Sequence, residues 1–323
     1  MKDDLTAEIP SIRKVSFVLS VYNEEQMLEK FWPELKICLD QLSMDKEVVF
    51  VNDGSTDQSL AILNKIAENN RYIKILSLSR NFGHEAAMIA GIDNSSGDVV
   101  IVMDVDLQHP FESINNMLEQ YLAGYEIVTM VRKENEESGF IRKKLSGIFY
   151  RMLHILSGRS LEPNVSDFFL ISGRIADILR SGYRERVRFL RGYIQLMGFR
   201  KISLSYSARK RAGGKSKYSF PKLITLSVAA ISNFSNLPLY LGIIGGLIMA
   251  SLSLIVTVYS VIMKLSGFVI PGYTTLVVLI SFLFSVQLFV VGIIGQYIAF
   301  LFEESKGRPI YIIDKIIKNG QDQ

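Results

Sequence analysis

The chain has 323 residues, a net charge of +4 and one cysteine. That length holds one or two domains with a full core, the small charge gives no electrostatic footprint for nucleic acid, and the lone Cys38 excludes an internal disulfide or a cysteine metal cluster, which suits a reducing compartment. Hydrophobic residues make up 49% of the chain, yet no Asp, Glu, Lys or Arg occurs from Leu223 to Met263 or from Leu265 to Phe302, whereas charges are frequent before Lys222.

The polar, acidic stretch Met1 to Pro10 does not read as a secretory signal. Val15 to Val21 reads as a strand, ended by Tyr22-Asn23-Glu24-Glu25. Leu28, Phe31, Trp32, Leu35, Leu39 and Leu42 then recur at helical spacing, with Cys38 inside that helix. Glu47 to Val51 is the next strand and runs into the polar turn Asn52-Asp53-Gly54-Ser55-Thr56-Asp57, before a helix over Gln58 to Glu68. A third strand, Ile73 to Leu78, leads to Arg80-Asn81-Phe82-Gly83-His84 and a helix of small residues through Ala90. The β-branched run Asp98 to Met103 is a strand buried on both faces and ends in Asp104-Val105-Asp106-Leu107-Gln108; a helix near Glu112 to Ala123 and a strand over Ile127 to Val131 follow. Strands alternating with helices across short loops predict an α/β domain with a mostly parallel sheet and crossover helices.

This half has neither a Gly-x-Gly-x-x-Gly turn nor a Walker lysine motif, which argues against a dinucleotide redox enzyme and a P-loop ATPase. In their place stand polar or acidic clusters at successive strand ends: Tyr22 to Glu24, Asp53 to Asp57, and Asp104 to Gln108. Open α/β sheets bind ligands at that edge. Two carboxylates one residue apart repel each other unless a cation lies between them, and a hard ion such as Mg²⁺ or Mn²⁺ takes carboxylates, water and substrate phosphates as ligands. Asp104 and Asp106 are the candidates to hold it, with Gln108 adding an amide oxygen. The plainer alternative is that Asp104 caps a turn and Asp106 is solvated, and an isolated Asp-x-Asp favours it; the neighbouring clusters reverse that balance. Asp53 is placed to accept from a base N–H or ribose hydroxyls, although Asp53-Gly54 is also a common turn pair, and Asp57 reads mainly as a helix cap.

Arg132 and Lys133 precede a stretch in which Ile141, Leu145, Ile148, Phe149, Met152 and Leu156 form an apolar stripe beside Arg142, Lys144 and Arg151. It reads equally as a helix on a lipid surface and as a core-facing helix with a solvated basic face. Asp167 is an isolated acid between apolar residues and wants a partner. Arg209, Lys210, Arg211, Lys215 and Lys217 surround Gly213-Gly214, a cationic loop suited to a phosphate and to the cytoplasmic side of a membrane. Phe220 to Phe234 reads as an interfacial helix. Residues 237–263 and 273–302 each exceed the ~30 Å hydrocarbon core at ~1.5 Å per residue, so two tilted transmembrane helices are expected. The loop between them carries one charge and both flanks are basic, which puts the flanks in the cytoplasm. Glycines at 242, 245, 246, 292 and 295 permit close helix packing.

Val21-Tyr22-Asn23-Glu24, Asp53-Gly54-Ser55-Thr56-Asp57, Arg80-Asn81-Phe82-Gly83, Asp104-Val105-Asp106-Leu107-Gln108 and Gly214-Lys215-Ser216-Lys217-Tyr218 stand in the order and approximate spacing of the polyprenyl-phosphate glycosyltransferases of family 2, which the chain resembles over nearly its whole length. Val21 stands where that family often has proline, and His84 where it has a small residue or glutamine. The resemblance implies a GT-A-type nucleotide-sugar domain over residues 1–210. Residues 211–236 would be the basic loop and interfacial helix, 237–302 the two spans, and 303–323 a cytoplasmic tail.

The same resemblance implies inverting transfer of a sugar, first of all glucose from UDP-glucose, to undecaprenyl phosphate at the cytoplasmic membrane, with a UDP-aminosugar, formamido-arabinose or GDP-mannose as other donors. Ser20, Tyr22, Glu24, Asp53 and Asp104 are expected near the nucleotide, and Asp104, Asp106 and Gln108 around Mg²⁺ or Mn²⁺. Asp106 and Asp167 are the catalytic candidates; Arg132, Arg209, Arg211 and Lys217 are the acceptor-phosphate candidates. The expected partners are the donor, the lipid and the membrane, with a homo-oligomer packed through the spans, both termini in the cytoplasm and no nucleic acid. A processive polysaccharide synthase needs more spans and a Gln-x-x-Arg-Trp motif, whereas the only tryptophan is Trp32. A non-catalytic membrane subunit remains the other reading.

Overall fold

The protein is described from a computed structural model over residues 11–133, 162, 165–185, 189–207, 272–318 and 321–322, with separate positions between 244 and 266. The predicted interfacial helix, the amphipathic stretch around Ile141 to Leu156, and Arg209, Arg211 and Lys217 lie outside the described residues.

The first half alternates strands and helices: β1 (Lys14–Val21), α1 (Glu25–Asp40), β2 (Asp45–Asn52), α2 (Ser59–Glu68), β3 (Ile73–Leu78), α3 (His84–Asp93), β4 (Val99–Asp104), α4 (Ser113–Leu122) and β5 (Ile127–Arg132). Then come β6 (Val165–Ser172), α5 (Gly173–Gly182), α6 (Leu190–Leu196), β7 (Lys201–Tyr206), the long helix α7 (Tyr273–Ser305), β8 (Ile313–Lys318) and β9 (Gln321–Asp322). Among the described residues the strands form one nine-stranded sheet in the order β7-β5-β6-β4-β1-β2-β3-β8-β9, with β3, β2, β1 and β4 mutually parallel.

The residue-by-residue alternation of the strands splits the core between the two faces of the sheet. Phe17, Leu19, Phe50, Ile101 and Phe168 pack with Leu28, Phe31 and Leu35 of α1, Leu63 of α2 and Ile114 of α4. Val18, Val49, Val100, Val102 and Phe169 pack with Ala87 and Ala90 of α3, Ile175 of α5 and Leu190 of α6. The small residues of α3 let it lie close to the sheet: a Cβ at Gly91 would sit 2.2 Å from Val18 Cγ1. The predicted stripe on α1 is the one buried, and Cys38 lies on that helix.

Two features depart from the simple parallel pattern. The expected mostly parallel sheet is interrupted where β6 is inserted between β4 and β5, antiparallel to both. A strand with an acid near its start, Val165-Ser166-Asp167, gives a weak period-2 signal, so it was legible only as an isolated carboxylate. The expected tail, 303–323, also holds β8, which pairs antiparallel to β3 and buries Ile317.

By contacts the chain divides into two compact units. The sheet unit comprises Met1–Arg151, Arg159–Ser219 and Pro309–Gln323; the other comprises Met152–Gly158 and Phe220–Arg308. Within the second unit α7 is apolar along nearly its whole length, and its Phe282–Ser305 portion is long and apolar enough to cross a membrane. It is the one such helix among the described residues; the earlier predicted span is described only at separate helical positions.

Candidate active site

The C-terminal ends of β1, β2 and β4 meet the start of α3, as the clustered polar motifs predict. Asp53, 2% exposed at the end of β2, accepts hydrogen bonds from the backbone N–H groups of Phe82 (2.7 Å) and Gly83 (2.9 Å) through its two oxygens. Burial pushes its carboxyl up, and those two bonds oppose the shift. Here Asp53 shapes the loop that delivers α3. The Gly54 turn fits closely against the same loop: its φ is +66°, and a Cβ there would meet Arg80 and Asn81 backbone atoms at 2.5–2.6 Å.

Gly83, with φ +96°, turns the chain so that His84 opens α3 at the sheet edge. Its Nδ1 is 2.9 Å from Ser20 Oγ, and its Nε2 faces two carboxylates at 3.4 Å each, Asp104 and Asp167. Burial lowers the pKa of this imidazole, but Asp104 and then Asp167 outweigh burial and raise it to about 9. With no metal bound, His84 is therefore a cation at neutral pH, held between two acids.

Asp104 ends β4, and burial pushes its carboxyl up against the opposing pull of His84. Asp167 sits on the inserted β6. Its carboxyl is also pushed up by burial, but Arg191, whose Nε is 3.0 Å from Oδ1, outweighs burial together with His84 and holds it below the usual carboxylate range. One ligand atom from each of His84, Asp104 and Asp167 lies within 4.8 Å of the others. That separation suits a single ion, and the two carboxylates suit a hard one.

After Asp104 the chain turns through Leu107 at φ +58°, a left-handed conformation costing about 1–2 kcal/mol for a residue with a side chain. The turn is closed by Asp106 Oδ1 accepting from the Gln108 N–H at 3.0 Å. Gln108 Oε1 accepts from Arg132 Nη1 at 3.1 Å, which ties the end of β5 to this loop. Among the expected metal ligands Asp104 is therefore in the acidic cluster, while Asp106 and Gln108 carry the turn beside it.

The first strand end is organised by reciprocal bonds. Asn23 Oδ1 accepts from the Thr56 N–H (2.8 Å), Asp57 accepts from the Glu25 and Ser59 N–H groups, and Glu25 accepts from the Gln58 N–H. Asp57 thus has the turn-capping role the sequence assigns it. Glu24 opens α1, with its carbonyl accepting from Met27 and Leu28 and its N–H donating to Ser59 Oγ. Tyr22 is exposed.

Four residues of this site carry no functional assignment from the sequence, His84 being named only as a departure from the family's small residue or glutamine. They are His84, Glu85, Arg191 and His109, whose Nδ1 accepts the Asp104 N–H at 3.3 Å while its ring stacks on Phe168 at 4.8 Å. The available signal was positional for the first two, since they follow a strand end as the acidic clusters do; Arg191 is brought in only by tertiary packing.

The profile described as Glycosyl transferase family 2 matches residues 16–177, the segment holding this site's β1, β2, β4 and β6. The bactoprenol glucosyl transferase of Shigella phage SfV is 36% identical over 301 residues, covering 93% of this chain and 98% of that protein. The uncharacterized glycosyltransferase YkcC of Bacillus subtilis (strain 168) is 35% identical over 302 residues, 93% of each chain. Among solved structures, the glucosyl-3-phosphoglycerate synthase of Mycobacterium tuberculosis, crystallised with Mn²⁺, UDP-glucose and phosphoglyceric acid, gives a TM-score of 0.50 at 20% identity over 68% of this chain and 78% of that one, a likeness of fold. With its strand-end acids gathered on a GT-A-type α/β sheet and its relatives aligned along almost the full length, the chain belongs to glycosyl transferase family 2 and is a glycosyltransferase.

Proposed function

We propose that the protein transfers glucose from UDP-glucose to a polyprenyl phosphate, undecaprenyl phosphate in a bacterial membrane, at the cytoplasmic face. The observation that carries this reading is the identity to the phage bactoprenol glucosyl transferase, which runs over 93% of the chain and therefore past the sheet into the apolar C-terminal region. The charge-free segments 237–263 and 273–302 are read as two spans, with the basic flanks and both termini in the cytoplasm. Their glycines pack a homo-oligomer together; cross-linking in detergent that yields monomer alone would sink that part.

A polyprenyl chain leaves the bilayer only at high cost, so the site must come to the headgroup plane. The acceptor is a phosphate monoester with a second pKa of ~6 and is largely ionised at neutral pH, so little deprotonation is required. One of its oxygens attacks the anomeric carbon from the face opposite the diphosphate. The new carbon–oxygen bond forms as the bond to the diphosphate breaks, configuration inverts, and UDP departs with the bonding pair.

Asp104 and Asp106, with Gln108, would hold Mg²⁺ or Mn²⁺, which would supply charge neutralisation for the leaving diphosphate. The donor set fits a hard ion. His84 Nε2 lies 3.4 Å from both Asp104 and Asp167 and borders that site. Ser20, Tyr22, Glu24 and Asp53 border the nucleotide, Asp53 through the loop it holds. Asp167 orients the acceptor, and Arg132, Arg209, Arg211 and Lys217 grip its phosphate.

The test is transfer of radiolabelled glucose from UDP-glucose to undecaprenyl phosphate by the detergent-solubilised chain. The expected result is a lipid-linked product that requires Mg²⁺ or Mn²⁺, disappears with EDTA and disappears in Asp106→Asn. Product from another UDP- or GDP-sugar would replace the donor; no product across such a panel, with nucleotide binding intact, would favour the non-catalytic reading.

A further inference from the structure

We infer that Arg191 is a positioning residue for Asp167, with Glu85 fixing the helix that carries it. The inference rests on the reading above of Asp167 as the group facing the acceptor. The two oxygens of Asp167 have different surroundings: Oδ1 lies 3.0 Å from Arg191 Nε, while Oδ2 faces His84 Nε2 at 3.4 Å. Arg191 also donates through Nη1 to the carbonyl of Val165 at 3.2 Å. One guanidinium therefore hydrogen-bonds the backbone at the start of β6 and pairs its charge with the carboxylate two residues later, without hydrogen-bond geometry between Nε and Oδ1, while Oδ2 faces His84. A planar fork with several donors can do this, and an ammonium does it less well.

Arg191 sits in the first turn of a short helix, and that turn is anchored from below. Glu85 Oε2 accepts the backbone N–H of Leu190 at 3.0 Å. Residues 84 and 85 of α3 thus meet residues 190 and 191 of α6 in two places, once through Asp167 and once directly. Leu190, fully buried against the α3 side of the sheet, adds apolar packing to the same joint. The result is a closed ring of contacts around one carboxylate, formed by Glu85, Leu190, Arg191 and Val165.

The experiment measures kcat and both KM values for Arg191→Gln, Arg191→Lys, Glu85→Ala and Asp167→Asn in the solubilised full chain, alongside thermal melting. Misplacing a reacting group by about 1 Å costs on the order of 10²-fold. Arg191→Gln should therefore lower kcat by ~10–100-fold with both KM values within about threefold, Arg191→Lys should recover part of the loss, and Glu85→Ala should move kcat in the same direction. In an Asp167→Asn background, Arg191→Gln should cost less than about threefold more, because its effect passes through the missing carboxylate. A raised KM for the lipid at unchanged kcat would make Arg191 a phosphate ligand and overturn the inference, as would losses that multiply independently. Should Arg191→Gln melt too low to assay, Arg191→Lys carries the same readout, and full kcat there overturns the need for the fork. An Asp167→Asn variant with full kcat would instead remove the reading of Asp167 itself.

Discussion

Asp104 and Asp167 stand opposite each other across an antiparallel strand pair. The β4–β6 register couples Val99 to Ser172 and Val102 to Phe169, and continuing it two steps past that last pair brings position 104 to position 167, whose carboxylates lie within 4.8 Å in the cluster with His84. Two acids placed side by side need a cation, and His84 provides one at 3.4 Å from each.

Removing one acid should weaken the hold on the His84 proton. Asp104 is the largest influence raising that imidazole, so Asp104→Asn should shift its titration from about 9 down toward 6.5. NMR of the metal-free protein reads this directly. An unchanged titration would mean that Asp167 alone holds the proton.

The same proton makes stability depend on pH. His84 has a folded pKa above its ordinary value, so its contribution is complete below 6.5 and fades as pH rises through about 9. The melting temperature of the metal-free protein should therefore fall across that window, and His84→Gln should flatten the fall. Equal slopes in the two proteins would show that other groups govern it.

Asp53 is expected to act on both stability and binding. Asp53→Asn replaces one acceptor oxygen by an amide that cannot receive the Phe82 or Gly83 N–H, leaving a buried donor unpaired at a cost of about 1–3 kcal/mol. Urea denaturation measures the loss. UDP binding should weaken with it, since the loop and the edge of the site move together; a destabilised variant that binds UDP normally would confine Asp53 to folding.

The C-terminal strand should be needed by the catalytic sheet. Tyr311 donates to Asp93 at the end of α3 at 2.7 Å, beside Arg184, and Ile310 packs on Ala86 and Ile89 of that helix. Tyr311→Phe should cost about 1 kcal/mol in denaturant unfolding. Ile317→Ala, at a core position 3% exposed, should cost about 2–5 kcal/mol. A neutral Ile317→Ala would mean β8 is dispensable to the sheet.

Most of the active-site edge was readable because it is local. Strand residues such as Val99 to Met103 are apolar without interruption, and a polar pair immediately after them marks where the chain leaves the sheet. That pattern alone places Asp53, Asp57 and Asp104 at the edge of the sheet. Asp57 caps as expected, whereas both oxygens of Asp53 turn inward to a loop thirty residues away in sequence, a partnership no local pattern encodes.

What the sequence determined by itself was the alternation of strands and helices, the gathering of acids at one sheet edge, the family resemblance, and the apolar character of the C-terminal region, all of which follow from short-range periodicity and composition. Only the tertiary structure decided that β6 enters antiparallel beside β4, that β8 returns to close the other side of the sheet, and that His84, Asp104, Asp167 and Arg191 converge. Antiparallel insertion pairs residues by a constant sum of their numbers rather than by their spacing, so Asp104 and Asp167 meet through a register that packing fixes and sequence distance hides.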